Sequence, residues 1–94
     1  MVNLVFKLRY HPDVRTVDIL QLNLKLKDRI KKAIETRLLV APHQYGEPLR
    51  KTLKGYWKLR VGDYRVVYKI TGDEVWILGI IHRRDVYEKI LNRV

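Results

Sequence analysis

Lys58, Arg60, Arg65, His82, Arg83 and Tyr87 are the side chains of this sequence with the clearest chemistry. They offer fixed positive charge and groups that carry exchangeable protons, but no strong nucleophile. The 94 residues include neither Cys nor Ser, which excludes disulfides, thiolate zinc sites, thiol nucleophiles and serine triads. His11, His43 and His82 show no ligand spacing, the ten acidic residues are scattered, and no glycine-rich phosphate loop is present. Neither a metal nor a cofactor is therefore expected. A basic, aromatic surface of this kind still cleaves RNA, because the substrate brings its own nucleophile, the 2′-hydroxyl. The protein then needs a proton acceptor, a proton donor for the leaving oxygen, and cations for a phosphorane-like transition state. Arg60, Arg65 and Arg83 supply the charge, and Tyr87, His82 and Lys58 are the proton-transfer candidates. A free Tyr titrates at about pH 10, so it serves as a base only where cations lower that value. DNA lacks the hydroxyl, so a nuclease reading implies RNA.

The stretch that must position these groups runs from Leu53 to Tyr87 and reads as three strands joined by tight turns. Gly62-Asp63 and Gly72-Asp73 separate runs rich in Val, Tyr, Leu and Ile, a hairpin signal with Gly at the first central position. A two-residue turn at Gly62-Asp63 sets Val61 against Tyr64, Arg60 against Arg65, Leu59 against Val66 and Trp57 against Tyr68. Alternation puts Trp57, Leu59, Val61, Tyr64, Val66, Tyr68, Ile70, Val75, Ile77 and Ile81 on a core face. Tyr56, Lys58, Arg60, Arg65, Lys69, Trp76, Leu78, Ile80 and His82 take the other face. Like charges directly opposite on a sheet destabilise it, so the Arg60–Arg65 pair implies a surface that binds anions. Trp76, Leu78 and Ile80 form an apolar patch beside it that a partner covers.

A net charge of +10 points the same way, toward an acidic partner such as nucleic acid, although a Lys/Arg-rich solvated surface would also produce it. One domain over residues 1–94 with a modest core is expected from the length. No secretory signal and no membrane-length apolar run are visible, so the expected location is cytoplasmic, with no membrane role.

Residues Leu4–Tyr10 alternate as a first strand. Pro12 opens a short helix over Asp13–Gln21, with Val14, Val17 and Leu20 or Gln21 inward, and Asn23 breaks or caps. A second helix over Leu26–Val40 carries Leu26, Ile30, Ala33, Ile34 and Leu38 at helical spacing, and Pro42 ends it. The loop HQYGEPLRKTLKG brings Arg50, Lys51 and Lys54 to the rim of the basic face. Asp85, followed three residues later by Glu88, resembles a capping box for a short helix through Asn92. The fold class is α+β: strand, two-helix hairpin, three-stranded antiparallel meander, final helix, with the helices on one sheet face and the basic face open.

The run GYWKLRVGDYRVVYKI, an apolar strand, and then HRRDVY resemble the RelE/ParE superfamily of toxins from toxin–antitoxin pairs, the RelE branch most closely. EPLRKTLKG and the order of elements fit as well. The resemblance implies a RelE-like fold and a metal-independent, ribosome-dependent endonuclease that cuts mRNA in the ribosomal A site and blocks translation. It implies catalytic roles for Lys58, Arg60, Arg65, Arg83 and Tyr87, with His82 at the place of a catalytic His in some members. RNA binding extends to Arg50, Lys51, Lys54, Tyr56, Lys69 and Arg84. Some RelE toxins carry a further Lys where this chain has Tyr56, a departure that leaves the division of proton transfer open. The implied partners are a cognate antitoxin, the ribosome with mRNA, and promoter DNA bound by the toxin–antitoxin complex alone. Two other readings compete: a ParE-like, non-enzymatic inhibitor of DNA gyrase, and a non-catalytic RNA-binding module. Singly, each residue also has a plain structural role: His82 ends a strand, Tyr87 packs a helix, and Arg83-Arg84 form a loop pair.

Overall fold

A computed structural model describes residues 5–94; Leu4, expected in the first strand, lies outside them. The order of elements is β1 (Lys7–Tyr10), a π-helical stretch Val14–Asp18 with a 3₁₀ turn Ile19–Gln21, and α1 (Leu24–Ala33) with a π-helical stretch Ile34–Leu38. There follow α2 (Pro42–Tyr45), β2 (Glu47–Pro48), a 3₁₀ turn Lys51–Leu53, β3 (Trp57–Val61), β4 (Tyr64–Thr71), β5 (Glu74–His82) and α3 (Val86–Leu91). The class is α+β as read, around a five-stranded sheet of order β1-β5-β4-β3-β2. β1 runs parallel to β5 and the remaining pairs are antiparallel.

The β3–β4 register matches the expected one at every position, from Val61↔Tyr64 through Arg60↔Arg65 to Trp57↔Tyr68. Gly62 has φ 61° and Gly72 φ 59°, the positive dihedral that two-residue hairpin turns demand at the first central residue. The helical hairpin also packs as its spacing predicts. Asn23 caps α1 by accepting the Leu26 N–H at 2.8 Å, and Ile30, Ala33, Ile34 and Leu38 are buried.

Four expectations need correction. The first helical stretch winds as a π-helix, whose wider turn spaces buried positions further apart than an α-helix does. Val14, Asp18 and Leu22 therefore point inward, while Val17 and Leu20 are exposed. Pro42 opens α2 rather than simply ending its predecessor, and the loop after it contributes β2, paired with β3 at Glu47↔Lys58 and Pro48↔Trp57. Asp85 occupies the N-cap position of α3, but its side chain makes no capping bond.

The largest correction concerns β5. A bulge between Val67 and Tyr68 on one side and Gly79 and Ile77 on the other leaves Leu78 without a partner across the strands. An extra residue reverses the facing of everything beyond it. Ile80 joins the main core under the helical hairpin, with Leu59, Val66 and Tyr68. Ile81 crosses to a second core with Leu49, Leu53, Val67, Leu78, Val86 and Ile90. The helices are thus not all on one face. α3 and the Leu49–Leu53 segment cover the middle of the second face, and the expected exposed patch at Leu78 and Ile80 is buried.

Candidate active site

With its centre covered, the second face keeps its basic residues open at one end, where the β3–β4 hairpin meets the segment after β5. Lys58, Arg65, Arg83, Arg84, Val86 and Tyr87 line a cleft of about 370 Å³ there. Lys58 comes from β3, Arg65 from β4, Arg83 and Arg84 from the turn after β5, and Tyr87 from the first turn of α3. Five of the six residues are cationic or phenolic, so the cleft matches an anion flanked by a planar group.

Arg65 is the best-held of them. One guanidinium nitrogen donates to the carbonyls of Gly62 at 3.0 Å and Tyr64 at 2.9 Å, so the head is fixed by the hairpin turn. Partial burial, then repulsion from Arg60 and Arg83, lowers the pKa of Arg65 below its ordinary value, with Asp63 and Glu47 opposing. Such a cation gains from any anion that displaces the water around it. Among the described residues, no carboxylate forms an ion pair with Lys58, Arg60, Arg65 or Arg84. Arg83 is tied more loosely: its backbone N–H donates to Asp63 O at 2.8 Å, and its Nε lies 3.8 Å from Asp63 Oδ1 with both side chains exposed. An exposed pair at that separation yields readily to a phosphate.

Tyr87 stands at the lip with an exposed ring, and its hydroxyl accepts the Arg50 N–H at 3.5 Å. Arg50 is thereby beside the cleft. Arg60 is exposed and directly opposite Arg65. Lys51 and Lys54 are exposed on the 3₁₀ turn and its cap, and Tyr56 packs against the second core instead of opening to solvent. Lys69 does not belong: it pairs with Trp76, four residues along β4 from Arg65, a separation of roughly 13 Å at ~3.3 Å per residue.

His82 is the site residue that the bulge relocates. It pairs with Tyr64, and the two rings meet edge to face at 5.5 Å between centroids, on the helical-hairpin side of the sheet. The expectation that it shares a face with Lys58, Arg60 and Arg65 fails for that reason. Its Nδ1 accepts the Arg84 N–H at 3.3 Å, which shapes the turn that delivers Arg83 and Arg84.

Glu47 is a group that sequence reasoning missed. It faces Lys58 across β2–β3 and is one of two carboxylates whose charge acts on Arg65. Gly46 and Pro48 around it read as turn residues, which hid the strand. Among the described residues, no three His, Asp or Glu side chains assemble as a metal-ligand set.

Comparisons with known proteins now give the family. A sequence profile of the ParE toxin of type II toxin–antitoxin systems, parDE, matches residues 9–87, which include every residue lining the cleft. The chain belongs to this toxin family, within the RelE/ParE superfamily. Toxin RelG of Mycobacterium tuberculosis is 40% identical over 50 residues, 51% of this chain and 58% of that protein. Toxin RelE of the same organism is 58% identical over 33 residues, 35% of this chain and 34% of that protein. Each of these matches spans less than two thirds of the relative. The solved toxin–antitoxin complex RelBE2 from M. tuberculosis superposes over 87% of this chain and 95% of its own, with a TM-score of 0.77 and 28% identity. Its fold supports the RelE/ParE architecture described above.

Proposed function

We propose that this RelE/ParE-family toxin is an endoribonuclease that cuts mRNA by attack of the 2′-hydroxyl on the adjacent phosphate. The observation that carries the reading is the cleft itself: Arg65, fixed by two turn carbonyls, faces Lys58, Arg83 and Arg84 with Tyr87 at the lip. The scissile phosphate sits against Arg65 and Arg83, whose charge stabilises the extra negative charge of the transition state. Tyr87 stacks on a base beside that phosphate and holds it in line. Lys58 is a proton donor for the leaving 5′-oxygen, and Glu47 next to it is a carboxylate able to accept the 2′-hydroxyl proton. His82, on the other side of the sheet, supports the Arg83-Arg84 turn.

The substrate is mRNA in the ribosomal A site, and the reading places the protein in the cytoplasm with a cognate antitoxin as its inhibitor. The M. tuberculosis RelBE2 neighbour is itself a toxin–antitoxin complex, which supports the antitoxin. The pair together, and not the toxin alone, binds promoter DNA. A second reading, a non-enzymatic inhibitor of DNA gyrase, is favoured by one observation: the matching profile is that of ParE toxins.

The test is mRNA cleavage in a purified translation system, with and without ribosomes. Codon-phased cuts that require ribosomes are expected from the wild type. Arg65→Ala lowers the rate on the order of 10²–10³-fold, the usual loss on removing one transition-state charge partner. Intact mRNA under these conditions overturns the reading, and inhibition of gyrase supercoiling by the same preparation then establishes the second one.

A further inference from the structure

Asp18 and Arg93 form the most deeply buried ion pair among the described residues, with side chains only 3% and 6% exposed, and the chemistry above does not use it. Arg93 Nη1 donates to Asp18 Oδ2 at 2.6 Å and Nη2 to Oδ1 at 2.7 Å, a two-pronged bond. Nη1 also donates to Leu78 O at 3.0 Å, and Nε lies 3.5 Å from Asp13 Oδ2. The same Asp18 Oδ2 accepts the backbone N–H of Ile80 at 2.9 Å. Leu78 and Ile80 flank Gly79 at the bulge of β5.

One carboxylate therefore holds both ends of a single segment. Ile80 starts the stretch that carries Arg83, Arg84 and Tyr87 into the cleft, and Arg93 lies just beyond α3 at its other end. β1 pairs with β5 only along Glu74–Ile77, so Ile80 N–H finds its acceptor in a side chain of the first helical stretch. Gly79 leaves the room for this approach: a Cβ there would lie 2.9 Å from Ile90 Cδ1 and 3.1 Å from Arg93 Nη1.

We propose that Asp18 and Arg93 are positioning residues for the cleft: by clasping Ile80 and Arg93 to one carboxylate, they set where Tyr87 and Arg83 stand relative to Arg65. The catalytic part of this inference rests on the ribonuclease reading; the structural part does not. A six-residue helix seated by Val86 and Ile90 alone keeps its apolar contacts while tilting or sliding, and a shift of about 1 Å costs a reaction up to ~10²-fold.

Two variants separate positioning from folding. Arg93→Lys keeps the charge and gives up the two-pronged bond. Asp18→Leu combined with Arg93→Met removes both charges and fills the space, an exchange that buried pairs often tolerate. Each is made with 3-fluorotyrosine placed at position 87 and, separately, at position 45 in α2, where the ring lies against Arg37. In both variants the fluorine signal at 87 moves or broadens and that at 45 stays. Single-turnover cleavage falls on the order of tenfold while RNA affinity changes less than about twofold, and Tyr87→Ala, which removes the stacking ring, then adds little further loss. An unmoved signal at 87 in a folded variant, or a Tyr87→Ala penalty that multiplies fully, overturns the proposal. Should the double variant not fold, Arg93→Lys decides. Should the wild type cleave nothing, the ribonuclease reading falls while the fluorine signals still decide the clasp.

Discussion

Arg65 and Arg93 lie against the same sheet under opposite conditions. Arg93 is enclosed, doubly bonded to Asp18, near Asp13, and donates to Leu78 O; the bond to Asp18 and the Asp18 and Asp13 charges hold its pKa above the usual value against burial. Arg65 is half-buried, bonded to two neutral carbonyls and set beside Lys58 in the cleft; its burial, then repulsion from Arg60 and Arg83, lowers its pKa below the usual value. A cation whose acceptors are all intramolecular contributes to the fold. A cation held rigidly beside other cations costs the fold some stability and is relieved by an incoming anion. The contrast separates the arginine satisfied within the fold from the one left open to an anion more clearly than exposure does, because both are partly hidden.

That contrast breaks first under truncation. Arg93→Ala leaves Asp18 buried without its counter-ion and is expected to lower stability by about 3–5 kcal/mol, read from urea unfolding. Arg65→Ala, which removes repulsion along with two hydrogen bonds, is expected to stay within about 1 kcal/mol of wild type in the same titration. Comparable losses from the two would show that the charges around Arg65 are structural after all. A smaller effect probes the passage beneath Arg93. Gly79→Ala brings a Cβ to 2.6 Å from Ile81 Cδ1 and 2.9 Å from Ile90 Cδ1, both ends of side chains able to give way. The expected loss is about 1–3 kcal/mol, with faster amide exchange in α3 than in β3 and β4. Protection lost evenly across the sheet would argue against a local seat for α3. The smallest effect sharpens the comparison from the other side. Arg60→Glu turns a like-charge cross-strand pair into an ion pair and is expected to stabilise the protein by roughly 0.2–1 kcal/mol. RNA affinity should fall in the same variant and its salt dependence flatten. A variant both less stable and fully active would sink the idea that this face trades stability for binding.

Much of the site was legible from local chemistry. Gly62-Asp63 places a positive φ where a two-residue turn needs one, alternation on either side follows from pleating, and so Arg60 had to meet Arg65. The cleft's remaining residues sit within a few positions of that hairpin or of β5's end, close enough for a strand–turn–helix reading to bring them together. The facing of His82 does not follow from alternation alone. Counting across Gly79 treats β5 as regular, whereas an isolated Gly inside a strand run is a common mark of a bulge, and the register does shift there. Lys69 lies outside the cleft for a different reason: sharing a face is not sharing an end of it, and it stands four residues along β4 from Arg65.

The sequence by itself determined the strands, the turns and the pairing of the hairpin, because each depends on residues a few positions apart. It also determined the surplus of positive charge on the sheet. Which end of the sheet stays open, which way His82 faces and where Tyr87 stands were decided by tertiary structure alone. They depend on an ion pair between residues 75 positions apart and on a bulge whose backbone groups that pair satisfies. A buried carboxylate at the end of a single π-helical turn looks like any surface Asp until the chain brings Arg93 to it.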